Sequence, residues 1–86
     1  MYYTYILLSK KDGKFYIGCT DNLKSRLEAH NAGQVKSTKA RTPFKLIYYE
    51  AFLNKHDVFV REQWLKTGWG YNQIQKILKN YLISLK

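Results

Sequence analysis

Residues 2–8, YYTYILL, place Tyr3, Tyr5 and Leu7 on one face of a strand and Tyr2, Thr4, Ile6 and Leu8 on the other. Neither set is polar, so both faces should be covered, one by helices and one by ligand or further protein. Lys11-Asp12-Gly13 supplies a turn. A second strand over residues 14–19 then sets Phe15, Ile17 and Cys19 against Tyr16 and Gly18. The period changes next. Thr20 or Asp21 caps a helix with Leu23 and Leu27 on one face and Arg26 and His30 on a neighbouring face; it ends near Ala32, with Gly33 as its stop. Residues 33–43, GQVKSTKARTP, carry little apolar content, and residues 44–52, FKLIYYEAF, read as a third strand apolar enough to be central. Asn54 caps another helix, with Asp57 at the position of a capping-box acid. That helix runs to about Lys66 and carries Val58, Val60, Trp64 and Leu65. Gly68 and Gly70 punctuate the chain, and a last helix from about Asn72 shows the clearest period, in Ile74, Ile77, Leu78, Tyr81, Leu82 and Leu85. The predicted order is ββαβαα, one domain over residues 1–86 without repeat or linker.

Charge narrows the partner. Fifteen Lys and Arg against six Asp and Glu give a formal +9, and a hydrophobic fraction of 45% argues for a folded chain rather than a basic tail. A polyanion follows, nucleic acid first and an anionic membrane surface second. No apolar run approaches the roughly 20 residues of a membrane span, and the N-terminus lacks a signal-peptide core. Cys19 is alone, which rules out an intramolecular disulfide and a cysteine-based zinc cluster; a reducing cytoplasm is the plain expectation. Within the connection, Lys36, Lys39 and Arg41 supply charge, and the hydroxyls of Ser37, Thr38 and Thr42 can donate to phosphate oxygens.

Tyr3-Thr4-Tyr5, Tyr16-Ile17-Gly18, Arg26 and His30 form an ordered set, with an eleven-residue step from Tyr5 to Tyr16 and a ten-residue step from Tyr16 to Arg26. This set resembles the GIY-YIG nuclease family, whose members carry two short strand motifs, an arginine on the next helix and a glutamate further along. The second motif stands intact as Tyr16-Ile17-Gly18. The first keeps only its final tyrosine, because Tyr3 and Thr4 stand in for glycine and isoleucine. The likeness extends over essentially the whole chain and is closest to small stand-alone members. It implies an α/β fold with a small three-stranded antiparallel sheet flanked by helices. It also implies a divalent-metal-dependent endonuclease that hydrolyses DNA, with RNA left open as substrate. The degenerate first motif favours an alternative, a non-catalytic nucleic-acid-binding module. A protein-interaction domain with an incidental basic surface is a third.

Phosphodiester hydrolysis needs an activated water, a cation to offset charge on the phosphorane and help for the leaving oxygen. The resemblance assigns the metal to Glu62, since Mg²⁺ or Mn²⁺ can be held by one carboxylate plus waters and substrate phosphate. From spacing alone, Glu62 with Lys66 reads as a routine surface pair. Tyr5 and Tyr16 become the proton-handling pair. A free tyrosine titrates near pH ~10, so nearby positive charge must favour the phenolate, and Arg26 and the bound metal together could supply that field. The other reading makes both of them hydrogen-bonded core tyrosines. Arg26 would grip the scissile phosphate through its planar fork. His30, one turn on, polarises a tyrosine, touches phosphate or is structural. Gly18 removes a side chain where a phosphate backbone approaches the sheet, unless it marks a bulge or close helix packing. Lys36, Lys39 and Arg41 extend the nucleic-acid contact. Cys19 stands where some members carry a lysine, so a Lys-assisted base is not available there. Selectivity would come from structure-specific binding, a protein partner or self-association.

Overall fold

The computed structural model describes residues 1–86. The chain runs β1 (Tyr2–Ser9), β2 (Phe15–Thr20), α1 (Leu23–Asn31), a 3-10 turn (Lys39–Arg41), β3 (Phe44–Phe52), α2 (Lys55–Leu65), α3 (Gly68–Ile77) and α4 (Lys79–Ser84). The three strands form one antiparallel sheet in the order β2-β1-β3. The architecture is the expected α/β one, but β3 is an edge and not the centre. The reason lies in β1, where residues 4–7 are buried without a break, while β3 keeps alternate positions open to solvent. Gly13, at φ +71°, makes the β1–β2 turn in a conformation that favours glycine.

Both faces of β1 are covered by helices of the chain itself. On one, Tyr5 and Leu7 pack with Phe44, Leu46, Tyr16 and the Leu23 and Leu27 stripe of α1. On the other, Ile6 packs with Leu65 of α2 and Ile74 of α3, all three 0% exposed. Each such side chain contributes about 1.5–3 kcal/mol relative to exposure. Polar ties fix the helices. The amide of Asn31 at the end of α1 pairs with the backbone of Phe44, accepting at 2.7 Å and donating at 3.1 Å. Arg61 on α2 grips Glu50 of β3 through two bonds of 2.7 and 3.0 Å, and the Thr4 hydroxyl donates to the Val58 carbonyl at 3.1 Å.

Local signals differ in detail from expectation. Asn22, not Thr20 or Asp21, caps α1 by accepting from the Ser25 amide at 3.1 Å; Thr20 is still in β2. Asn54 caps α2 as expected, accepting from the amides of both His56 and Asp57, while the Asp57 side chain makes no reciprocal bond. The final helix begins at Gly68 because the Thr67 hydroxyl accepts from the Gly70 amide, and it breaks at Leu78 into α3 and α4. Gly70 lies in α3, pressed against the Leu65 backbone where a side chain would collide.

Candidate active site

Tyr5, Tyr16, Arg26 and His30 meet on the α1 side of the sheet. Register explains the first two: Tyr5 lies opposite Gly18 and Leu7 opposite Tyr16, so both tyrosines project from the same face. Their rings are 6.3 Å apart, and the His30 ring lies 6.0 Å from Tyr5 and 4.9 Å from Tyr16. Helical spacing brings Arg26 and His30 onto the same stretch of α1. Gly18 is buried, and a side chain there would collide with the Tyr5 phenol. The space expected for a phosphate is therefore taken by Tyr5, and the missing side chain seats the tyrosine.

The Tyr5 hydroxyl is 3.1 Å from His30 Nε2 and accepts from Arg26 Nε at 3.4 Å. His30 Nδ1 is 2.8 Å from the Thr38 hydroxyl, which donates to the Val35 carbonyl at 3.4 Å. Only one tautomer gives every donor an acceptor. With the proton on Nδ1, His30 donates to Thr38, Thr38 donates to Val35, and the Tyr5 O–H donates to the bare Nε2. With the proton on Nε2, the Tyr5 hydroxyl would receive two N–H groups and its own proton would have no partner. Thr38 and His30 are both 0% exposed, so an unmet donor here would be costly.

Burial pushes the Tyr5 phenol up, Arg26 opposes this through its hydrogen bond, and Tyr16 and Cys19 add to the rise; the net direction is upward. The arginine alone therefore does not bring this phenol toward neutrality. Burial, then the Arg26 charge, pushes His30 down, so the imidazole is neutral at pH 7. The Arg26 cation is reinforced by Tyr5 first, with Tyr16 adding to it. His30 is sealed inside and touches the tyrosine, which leaves it no direct contact with phosphate.

Glu62 sits on the other side of β2's end, buried at 8% exposure rather than on the surface. Its Oε1 accepts from Gln63 Nε2 at 2.6 Å and pairs with Lys66 at 3.3 Å. The Cys19 thiol also lies within hydrogen-bonding reach of this carboxylate. Cys19 links the two regions: after burial, the Glu62 carboxylate pushes the thiol up, while Lys66 and Arg26 pull it down. No group of three or more His, Cys, Asp or Glu side chains converges anywhere. A hard divalent ion bound by one carboxylate oxygen, waters and substrate phosphate fits this donor set; an all-protein cage does not.

The connection divides into two kinds of residue. Lys36 and Lys39 are exposed. Arg41 is not free: it bonds Asp12 at 2.7 Å and reaches the carbonyls of Lys14 and Phe15 at 3.3 and 3.2 Å. It clamps the connection to the β1–β2 turn, and the Ser9 hydroxyl donates to its carbonyl at 2.6 Å. Thr38, expected to face phosphate, holds His30 instead. Sequence reasoning gave Thr38 the wrong partner and missed Ser9 altogether, and no local pattern marks either contact. A cleft of about 770 Å³ lies mainly on the α2–α3 side, lined by Phe15, Ile17, Leu65, Tyr71 and Leu82; Tyr16 and Lys66 reach it, but Tyr5, Arg26, His30 and Glu62 do not.

Residues 1–72 match the GIY-YIG catalytic domain. A UPF0213 protein of Lacticaseibacillus paracasei is 48% identical over 62 residues, 71% of this chain and 68% of that one. A UPF0213 protein of Pediococcus pentosaceus is 42% identical over 80 residues, covering 92% and 83%. The solution NMR structure of the UPF0213 protein of Bacillus halodurans is 34% identical and covers 100% of this chain and 86% of that one, with a TM-score of 0.48.

Proposed function

The chain belongs to the GIY-YIG family, and from that premise we propose that it is a divalent-metal-dependent endonuclease hydrolysing DNA phosphodiester bonds. The observation that carries this reading is the Tyr5 hydroxyl, which faces a neutral imidazole on one side and a guanidinium on the other. The Tyr5–Tyr16 pair takes the proton of the attacking water as its oxygen bonds to phosphorus and the leaving oxygen departs; His30 Nε2 and Arg26 hold the Tyr5 hydroxyl in place for this. Tyr16, half-buried where Tyr5 is 2% exposed, is the tyrosine nearer solvent and the attacking water. The Arg26 nitrogens not bound to Tyr5 grip the scissile phosphate and oppose the charge that grows on it. Glu62 would hold a Mg²⁺ or Mn²⁺ ion, which would supply Lewis acidity at the phosphate and stabilise the leaving oxygen. Lys36 and Lys39 add non-specific affinity for the backbone.

Cleavage of branched, nicked and linear DNA, each with Mg²⁺, with Mn²⁺ and with chelator, tests the proposal. Metal-dependent strand scission of at least one substrate is expected. Salt-dependent binding with no scission under any condition would replace the enzyme with a binding module.

A further inference from the structure

Tyr5 is the centre of an aromatic row. Its partner across the β1–β3 ladder is Tyr49, and Tyr3, two residues earlier on β1, lies between Thr20 of β2 and Ala51 of β3. All three tyrosines leave the sheet on the α1 side. Packing of α1 buries Tyr5 to 2% exposure but leaves Tyr49 at 53%. The rings of Tyr3 and Tyr49 meet edge to face at 5.9 Å and 71°, so each limits the other's motion. The Tyr49 hydroxyl makes no bond within the chain, whereas that of the adjacent Tyr48 donates to Glu50 at 2.9 Å. A braced, half-open ring thus stands one cross-strand step, about 5 Å between Cβ atoms, from the tyrosine that binds Arg26.

We propose that Tyr49, braced by Tyr3, is a stacking platform for one unpaired nucleobase beside the phosphate gripped by Arg26. The inference rests on the nucleic-acid reading of the site and adds what that reading lacks, a basis for choosing among substrates. A base inside a duplex has both faces covered by its neighbours and presents only its edges. An unpaired base can swing out and lay a face on an aromatic ring. The formal +9 draws any nucleic acid to the surface; the platform retains the strand that has a base to offer. Bracing by Tyr3 lowers the rotamer freedom lost when the base stacks. Single-stranded, bulged or branched substrates are therefore preferred to uniform duplex.

The test uses the full chain in chelator, so that no cleavage intervenes, and three oligonucleotides carrying one 2-aminopurine each: single-stranded, bulged and fully paired. The parent is expected to quench the probe on the first two and to bind them more tightly than the duplex. Tyr49→Phe keeps the ring and should keep both properties. Tyr49→Thr, a good strand former, should lose the quenching and weaken unpaired binding by roughly five- to 150-fold, the range for one base–aromatic stack. Its duplex affinity should change less than about twofold. Circular dichroism confirms that each variant is folded. If Tyr49→Thr retains the unpaired-to-duplex ratio, the platform is wrong and the nucleic-acid reading stands. If the parent binds no oligonucleotide at all, both fall.

Discussion

Replacing Thr38 by valine removes one oxygen from a site with no solvent to replace it. The shape is nearly kept, so the loss is polar. His30 Nδ1 gives up its 2.8 Å partner where His30 and Thr38 are both 0% exposed, while the carbonyl of half-buried Val35 loses the 3.4 Å hydroxyl but keeps the Thr38 amide at 3.0 Å. An unmet buried donor costs about 1–3 kcal/mol. For a chain of 86 residues each kcal/mol moves the melting point by about 4–8 °C, so Tm should fall by about 4 °C at the least and about 24 °C at the most. The second effect is chemical. Without Thr38 to receive it, the His30 proton can move to Nε2, and Tyr5 then faces a donor where it needs an acceptor. Cleavage by the folded variant should drop by more than tenfold, whereas Thr38→Ser, which keeps the hydroxyl, should stay within a few-fold of the parent. Thermal unfolding by circular dichroism gives the first number and a cleavage time course below Tm gives the second. The tautomer argument fails if Thr38→Val is as stable and active as the parent, or if Thr38→Ser is as damaged as Thr38→Val.

Further outcomes follow from the same geometry. Arg26→Ala should reduce cleavage by orders of magnitude and binding by less than about tenfold, because its grip strengthens as charge builds on the phosphate; equal losses in a gel shift and a cleavage assay would make it an ordinary anchor. Lys36→Ala with Lys39→Ala should flatten the salt dependence of binding by about 0.9 in slope for each phosphate no longer neutralised. Arg41→Ala should instead lower Tm, because it breaks the 2.7 Å bond to Asp12, and an unchanged Tm would contradict the clamp. His30 is held below its ordinary value, so the unfolded chain takes up this proton first: the histidine contributes nothing above pH ~6.5, and stability falls as pH drops below it. Asp12, held at about 2 mainly by its bond from Arg41, adds stability that is present above its ordinary value and is lost as pH falls toward 2. Melting points that stay level from pH ~7 down to pH ~4 would contradict the buried neutral imidazole.

Much of the frame was legible because it rests on local rules. Alternation in residues 2–8 and the turn at Gly13 give the hairpin, Asn54 gives the α2 cap, and Gly33 stops α1 in the left-handed conformation at φ +73°. The spacing of Tyr5, Tyr16, Arg26 and His30 was visible; strand register sets the two tyrosines on one face, and α1 lays Arg26 and His30 against them. What stayed hidden depends on distant partners. β3 looks central by composition, but alternate positions along it stay wet, and only the sheet order shows that β1 takes the middle. Thr38 and Arg41 sit in a basic, hydroxyl-rich run whose composition suits solvent and phosphate equally. Their partners, His30 and Asp12, lie 8 and 29 positions away. Gly18 read as an opening because nothing in the sequence says that the Tyr5 phenol fills the space.

The central claim is that Glu62 and the Tyr5 cluster together cut DNA. Its most direct test is a cleavage time course for the parent and Glu62→Gln under matched Mg²⁺ or Mn²⁺, with binding measured in parallel. The substitution keeps size and helix propensity and removes the carboxylate's negative charge. The account predicts that the parent cleaves, that Glu62→Gln binds DNA at least as well, and that its cleavage falls by roughly a thousandfold or more, as expected when several kcal/mol of metal stabilisation is withdrawn. Equal cleavage by the two proteins would contradict the assignment of Glu62, and no cleavage by the parent with either metal would contradict the enzyme.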